Sequence, residues 1–434
     1  MINLLILILI LFSINVQAET LNLKKSIELA LKNNLLIQEK LAQIKAATES
    51  VKVAKSEFFP KFQTSYSYTR LGEEPYMIAK NVPGQPKFVM GPQDNYTWDI
   101  GFIQPIFTGF YLSSQYRLSK LGVDISKLEK IEAEQEVIRQ VKVSYFKVLL
   151  AEKYKKVAEI AVKNLSAHLK DAKALYDIGI IPLNDLLKSK VALANAKQDL
   201  VRADNNLQTA ISAFNILLRF DINHPTKIED ILTYKPLNLT LNEAMKIAIK
   251  ERPEIKQIAK RLEQMDVQIK MAKSAYYPQI AMIGKYERIG DDPGIDGTGY
   301  RNPDQFYLTL EAKWTFWEWG KTRAKIKSLI WRKKALEKIL EQLKDQIKLQ
   351  VKRAYLNLKE AEKNIETARI SVEQAKENYR LTDLQYKNQI TTSTEVLDAQ
   401  TLLTQAQNNY YSALYRYNTA IADLERAMGK LVSH

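Results

Sequence analysis

Side chains able to do chemistry are scarce in this chain. Cysteine is absent and histidine stands only at His168, His224 and His434. Thiolate nucleophiles, disulfides, a lipid-anchored cysteine and a histidine-based metal or acid–base site are therefore not expected. No nucleophile–base pair, metal cluster or phosphate loop is found, so an enzyme is not expected, nor a cofactor or resident metal. The acid-rich run from Gly290 to Gly299, GDDPGIDGTG, has the composition of a calcium site, but its spacing matches no calcium loop. An ordinary exposed hairpin loop is the alternative. Glu395 and Asp398 lie three residues apart, on one face of the helix they begin. As early-helix carboxylates, each gains ~0.3–1 kcal/mol from the helix dipole.

Long helices must carry those carboxylates. Between Gly109 and Gly179 the chain has no proline and one glycine, Gly122, and Val137, Val141, Tyr145 and Val148 trace an apolar stripe. Residues 110–178 would form roughly 100 Å of helix at ~1.5 Å per residue, and the pattern recurs from Lys321 to about Asn388. Such lengths belong to barrels, stalks or coiled coils. Gly179-Ile180-Ile181-Pro182 breaks the first helix, with Asn184 or Asp185 expected to cap the helix that returns to about Arg219. Gln389-Ile390-Thr391-Thr392-Ser393 breaks the second, with a return to about Met428.

The chain contains itself twice. Leu21–Pro60 aligns without a gap on Leu239–Pro278, at an offset of 218. From Phe107 the offset is 210, so that Phe107 meets Trp317, Val141-Lys142 meets Val351-Lys352, and Tyr176 meets Tyr386. Each half is therefore expected to be the same supersecondary unit. The expected segments are a leader at 1–18, a first repeat at 19–220, a connector at 221–238 and a second repeat at 239–434.

Between the helices the period changes to two. Phe62, Thr64, Tyr66 and Tyr68 alternate with Gln63, Ser65, Ser67 and Thr69, and Tyr96, Trp98, Ile100 and Phe102 alternate with polar or small residues. Ile280–Tyr286 and Phe306–Trp314 repeat the pattern. One apolar and one polar face over about ten residues suits a membrane β-barrel strand; a half-buried strand in a soluble sheet is the alternative. Aromatic clusters sit where helix gives way to strand: Phe58, Phe59, Phe107, Tyr276, Tyr277, Trp314, Trp317 and Trp319. Rings of this kind favour a membrane–water interface and are expected to form a girdle. Four strands cannot close a membrane barrel, which needs about eight, and open edges in lipid are prohibitive. Copies of the chain must share one.

Leu4–Phe12 is an unbroken apolar run, and Val16-Gln17-Ala18 fits a cleavage site, so export is expected although the leader carries no Lys or Arg. No later run reaches the ~20 apolar residues of a transmembrane helix. The net charge is +15, and 313–353 holds thirteen Lys/Arg against four acids. In an exported chain that excess points to anionic lipid head groups or a water-filled lumen rather than to nucleic acid. A solvated helical face explains it as well.

These features together resemble the TolC family of outer membrane efflux proteins over the whole mature chain. The resemblance rests on the duplicated halves, the junctions QPIFTG (Gln104–Gly109) and TFWEWG (Thr315–Gly320), and the tips YDIGIIPLNDLLKSK (Tyr176–Lys190) and YKNQITTSTEVLDAQ (Tyr386–Gln400). It implies a mainly α fold with membrane β: a homotrimeric helical barrel continuous with a shared twelve-stranded β-barrel, four strands from each chain. The implied location is the outer membrane, with helices projecting into the periplasm, and the implied role is a channel in tripartite efflux or type I secretion. Implied partners are a periplasmic adaptor, an inner-membrane transporter and outer membrane lipid. By the same resemblance Glu395 and Asp398, with Asp185, ring the pore and Tyr386 lies in the constriction. Gly179, Ile180, Pro182, Gln389 and Ile390 are the adaptor-docking tips. The family's latching arginine falls on Thr391, and Gln389 replaces a tip glycine, which leads one to expect unequal docking sites. An exported coiled-coil stalk or adhesin without a lumen is the alternative.

Overall fold

The structure is a computed structural model and describes residues 20–430; the expected leader and His434 lie outside them. Two short helices, α1 (Leu23–Asn33) and α2 (Leu35–Ser56), precede strand β1 (Lys61–Arg70), a small hairpin of β2 (Tyr76–Ile78) and β3 (Lys87–Val89), and strand β4 (Asp94–Phe107). Helices α3 (Tyr111–Asp177) and α4 (Leu183–Leu218) follow. The second half repeats the plan with α5 (Leu241–Glu251), α6 (Pro253–Lys273), β5 (Gln279–Gly290), β6 (Asp304–Lys313), α7 (Lys321–Lys387) and α8 (Ser393–Met428). The two long helices have 67 residues each and their returns 36 each, so the duplication extends to helix length. Among the described residues no helix is long and apolar enough to cross a membrane.

Packing divides the chain into two units. One contains the chain up to Leu41, Glu129–Ile255 and the chain from Leu343; the other contains Ala42–Leu128 and Lys256–Gln342.

In the first unit, the expected stripe of Val137, Val141, Tyr145 and Val148 is buried against Phe214, Leu218, Ile347, Val351, Tyr417 and Leu424. The connector is tied to this core. Leu21 pairs with Ile228 in a parallel bridge, and the buried Tyr145 hydroxyl donates to the carbonyls of Leu21 (3.1 Å) and Glu229 (2.8 Å). Tyr417 donates to the Lys235 carbonyl at 2.7 Å. Thr240 and Glu243 cap α5 reciprocally, each side chain meeting the other's backbone N–H.

The second unit holds a four-stranded antiparallel sheet in the order β1-β4-β5-β6. Its register pairs Thr64 with Ile100, Tyr66 with Trp98, Ile100 with Tyr286, Tyr286 with Phe306 and Met282 with Leu310. Facing residues share a side of a sheet, so this register gathers Phe62, Tyr66, Tyr68, Tyr96, Trp98, Ile100, Phe102, Met282, Phe306, Leu308 and Leu310 on one face. The opposite face carries Ser65, Asp99, Lys285 and Glu287, with Ser65 donating to Asp99 at 2.6 Å and Lys285 at 3.4 Å from Asp99 and 2.6 Å from Glu287. Phe102 packs over Gly284, where a Cβ would stand 2.4 Å from the ring.

Both helix–strand junctions turn through two consecutive left-handed residues: Gly109 and Phe110 (φ 60° and 71°) and, 210 positions on, Trp319 and Gly320 (φ 51° and 79°). At Gly109 a Cβ would meet the Ser274 carbonyl at 2.5 Å, so glycine is required there. Three details depart from expectation. The stretch between Tyr68 and Tyr96, which shows no alternation in the sequence, contains the β2–β3 hairpin. β6 stops at Lys313, one residue short of Trp314. Asn184 and Asp185 lie inside α4, whose N-cap is Pro182; its ring offers no acceptor, so the helix starts without a side-chain cap bond.

Candidate functional site

The four long helices meet at two hairpin turns in the first unit. The turn after α3 has Gly179 at φ 75° and the turn after α7 has Gln389 at φ 61°. In both turns the last carbonyls are closed by the same pair of bonds: Gly179 to Tyr176 and Ile180 to Leu175, then Gln389 to Tyr386 and Ile390 to Gln385, each 2.9 Å. Gln389 therefore adopts the glycine conformation, and the two turns have the same backbone geometry despite the substitution. Ile180 and Ile390 are exposed at the two tips.

Behind the turns, each helix contributes one side chain to a small apolar cluster: Ala172 from α3, Leu186 from α4, Tyr386 from α7 and Val396 from α8. Tyr386, expected in a constriction, is 2% exposed, whereas its repeat counterpart Tyr176 is 36% exposed. The Tyr386 ring lies 4.7 Å from that of His168, and burial raises its phenol above the ordinary range.

A polar knot joins three of the helices. His168 Nε2 shares a hydrogen bond with Ser393 Oγ at 2.8 Å, and Ser393 Oγ lies 3.0 Å from Ser189 Oγ. His168 is 2% exposed, and its Nδ1 has no hydrogen-bond partner among the described residues. Burial pushes the imidazole below its ordinary range; Asp383 and Asp171 oppose that shift and Lys387 adds to it. Lys387 stands 2.7 Å from Asp383 and 3.9 Å from Asp171. Lys188 donates to Thr394 Oγ1 at 3.2 Å, a second link between the hairpins. Further along, Asn164 donates to the buried Gln400 at 2.8 Å.

The predicted carboxylates differ in setting. Glu395 and Asp398 are both exposed on the first turns of α8, and the Glu395 N–H is capped by Thr392 Oγ1 at 3.4 Å. Asp185 is half-buried, with Lys188 at 3.8 Å. Lys188 occupies the repeat position of Asp398, so the acid–acid pair of α8 corresponds to an acid–base pair in α4. The sequence reading missed His168, Ser189 and Ser393. One signal was present: His168 falls three residues after Leu165 and four before Ala172, on a buried stripe where a polar side chain needs a partner.

In the second unit, Phe107, Phe110 and Tyr277 stack edge to face at 5.6–6.3 Å. Phe58 and Phe59, Tyr276, and Trp314, Trp317 and Trp319 project outward.

Comparison with known proteins places this architecture. The profile of the outer membrane efflux protein family matches residues 26–217 and 244–430, one segment per repeat. Nodulation protein T of Rhizobium leguminosarum bv. trifolii is 24% identical over 275 residues, 56% of each chain; the chain thus spans about half the length of that curated relative. Among solved structures, the CmeC outer membrane channel of Campylobacter jejuni superposes with a TM-score of 0.78 at 18% identity, covering 94% of this chain and 85% of that one. The outer membrane protein VceC of Vibrio cholerae gives 0.76 at 15% identity, with 94% and 96% covered. The open MtrE outer membrane channel of Neisseria gonorrhoeae gives 0.72 at 19% identity, with 94% and 88% covered. These three share the fold of this chain.

Proposed function

The chain belongs to the outer membrane efflux protein family, and from that premise we propose that it is the outer membrane duct of a tripartite efflux or type I secretion machine. The observation that carries the proposal is the sheet. Its register gathers most of the aromatic and aliphatic side chains on one face, where the charged Arg70, Asp94, Arg288 and Asp304 stand only at the loop-side ends of the strands. Asp99, Lys285 and Glu287 lie on the other face, and both edge strands, β1 and β6, are exposed along their whole length. In lipid such edges must be paired. Three copies, each adding four strands, close a barrel whose apolar face meets lipid and whose polar face lines water. A groove along α3, α4 and α8, lined by Ala151, Val157, Ala161, Leu165 and Ala196 and by Asn408 of α8, is filled by none of the described residues and suits packing against a neighbouring copy.

In this reading the protein catalyses no reaction; its chemistry is selection and gating. The repeats at 19–220 and 239–434, joined by 221–238, supply two hairpins per copy. Glu395 and Asp398, with Asp185 behind them, ring the periplasmic entrance and favour cations. Tyr386 acts from within each copy, holding the hairpins together through His168. The turns at Gly179, Ile180, Pro182, Gln389 and Ile390 dock a periplasmic adaptor, which links the duct to an inner-membrane transporter. The outward aromatics at the helix–strand junctions form the interfacial girdle. An exported stalk without a lumen leaves the apolar sheet face and the exposed aromatics unexplained, and family membership tells against it.

The test is the detergent-corrected mass of the protein extracted from outer membranes. A mass near three protomers is expected. A monomer, or protein that leaves the membrane without detergent, would overturn the reading.

A further inference from the structure

Helix α7 starts with charges that its fold does not require. Between Trp319 and Leu336 the chain carries Lys321, Arg323, Lys325, Lys327, Arg332, Lys333 and Lys334, and no acid. Four of these stand in the first seven residues of the helix, where the dipole disfavours cations. The matching positions of α3, 210 residues earlier, are Tyr111, Ser113, Gln115 and Arg117. The same place in the same supersecondary unit is thus built with one cation in the first repeat and four in the second.

Packing uses only two of these charges, Lys333 and Lys321. Thr322 and Ile326 are buried, and with the half-buried Leu329, Lys333 and Leu336 they form the inward stripe. Lys333 pairs with Asp266 at 2.7 Å, and Lys321 lies 3.7 Å from Glu318. Arg323, Lys325, Lys327 and Arg332 are exposed and have no acidic partner among the described residues. At 100° per residue, Lys321, Lys325 and Arg332 fall on one flank of the inward stripe, and Arg323, Lys327 and Lys334 on the other. The exposed Trp331 lies on the outward face between them, with Lys334 Nζ 4.4 Å from its ring centroid. The helix follows directly on Trp314, Phe316, Trp317 and Trp319, of which Trp319 is 89% exposed. The first two turns therefore continue the aromatic belt within about 10 Å, roughly one Debye length.

We propose that the first turns of α7 bind the anionic head groups of phospholipids in the periplasmic leaflet. Aromatic rings at the interface, followed at once by unpaired cations on long flexible stems, match an apolar layer succeeded by a layer of phosphates. The equivalent positions of α3 hold a single cation, Arg117, which makes this a property of one repeat, so bound anionic lipid would recur at three places around a trimer. The proposal rests on the outer membrane reading above.

The experiment reconstitutes the full chain in vesicles of equal parts phosphatidylcholine and phosphatidylglycerol, with conductance verifying insertion. The lipids retained by the detergent-extracted trimer are then weighed by mass spectrometry. Wild type should hold phosphatidylglycerol enriched at least about threefold over the bulk ratio, and raising the salt concentration should lower that enrichment. Combined Lys321→Gln, Arg323→Gln, Lys325→Gln and Lys327→Gln should return the ratio to bulk, while the charge-keeping set Lys321→Arg, Lys325→Arg and Lys327→Arg should retain the enrichment. Equal retention by wild type and the neutralised chain would overturn the proposal. So would unchanged lipid with altered ion selectivity, which would place the charges on the lumen. Absence of insertion and conductance would instead refute the outer membrane reading.

Discussion

His168 Nε2 and Ser393 Oγ lie 2.8 Å apart although 225 residues separate them in the chain, and the bond fastens the first hairpin to the second where the gate is proposed. Burial holds the His168 imidazole below its ordinary value of 6.5, with Asp171, Asp383 and Lys387 as the charged groups around it and Tyr386 against its ring. A separated pair of hairpins would let the ring protonate at its ordinary value. Below about pH 6.5 the open form thus binds more protons, and the closed junction weakens as pH falls, by at most about 1.4 kcal/mol per unit until the lower folded value is passed. Open probability in single-channel recordings should rise on going from about pH 7.5 to about pH 5.5. His168→Asn should remove most of that dependence, and an unaltered pH profile in the variant would show that His168 is not the titrating group.

Gln389 at φ 61° carries a left-handed conformation that costs a residue with a Cβ roughly 1 kcal/mol. Gln389→Gly should stabilise the second turn by up to that amount, less the entropy glycine adds to the open chain. Gly179→Gln should cost the first turn a similar amount without any clash, because no atom lies within 4 Å of the Cβ it would acquire. Amide exchange at Ile390 and Ile180 reports each turn separately; exchange that does not respond to either change would contradict the strain assigned here.

Glu395→Ala with Asp398→Ala should weaken block by multivalent cations in single channels. Asp185→Lys should have a smaller effect, because Asp185 is half-buried and already faces Lys188 at 3.8 Å. Lys188→Asp gives the first repeat the acid–acid pair of the second and should strengthen block. If the double alanine variant blocks like wild type, the acidic ring does not line the narrow point.

Lys142 and Glu425 form a buried ion pair at 2.6 Å, their side chains 4% and 11% exposed. Removing Lys142 takes the ion-pair partner at 2.6 Å from the buried Glu425 carboxylate, so Lys142→Met alone should destabilise the first unit by ~3–5 kcal/mol. Adding Glu425→Leu should recover most of that loss, since an apolar pair of similar size needs no desolvated charge. Thermal unfolding of the detergent-solubilised protein and its two variants distinguishes this from simple additivity, which would make the double variant the least stable.

The sequence by itself determined the duplication, the two long helices with their breaks, the four alternating strands and the aromatic junctions. All of these are periodic or local, written in the spacing of neighbouring residues. The pleat has period two, so the alternation of Phe62–Tyr68 and Tyr96–Phe102 already chose which side chains share a face. The β2–β3 hairpin escaped because three-residue strands are too short to show a period. The tertiary structure alone decided that Tyr386 is buried while Tyr176 is open, that Gln389 bends as Gly179 does, and that His168 meets Ser393 and Lys142 meets Glu425. Each of these depends on partners brought together from more than 200 positions away or on a conformation imposed by the turn. A repeat fixes the geometry of its own backbone, but only packing one repeat against the other selects which of two equivalent side chains fills the space between them.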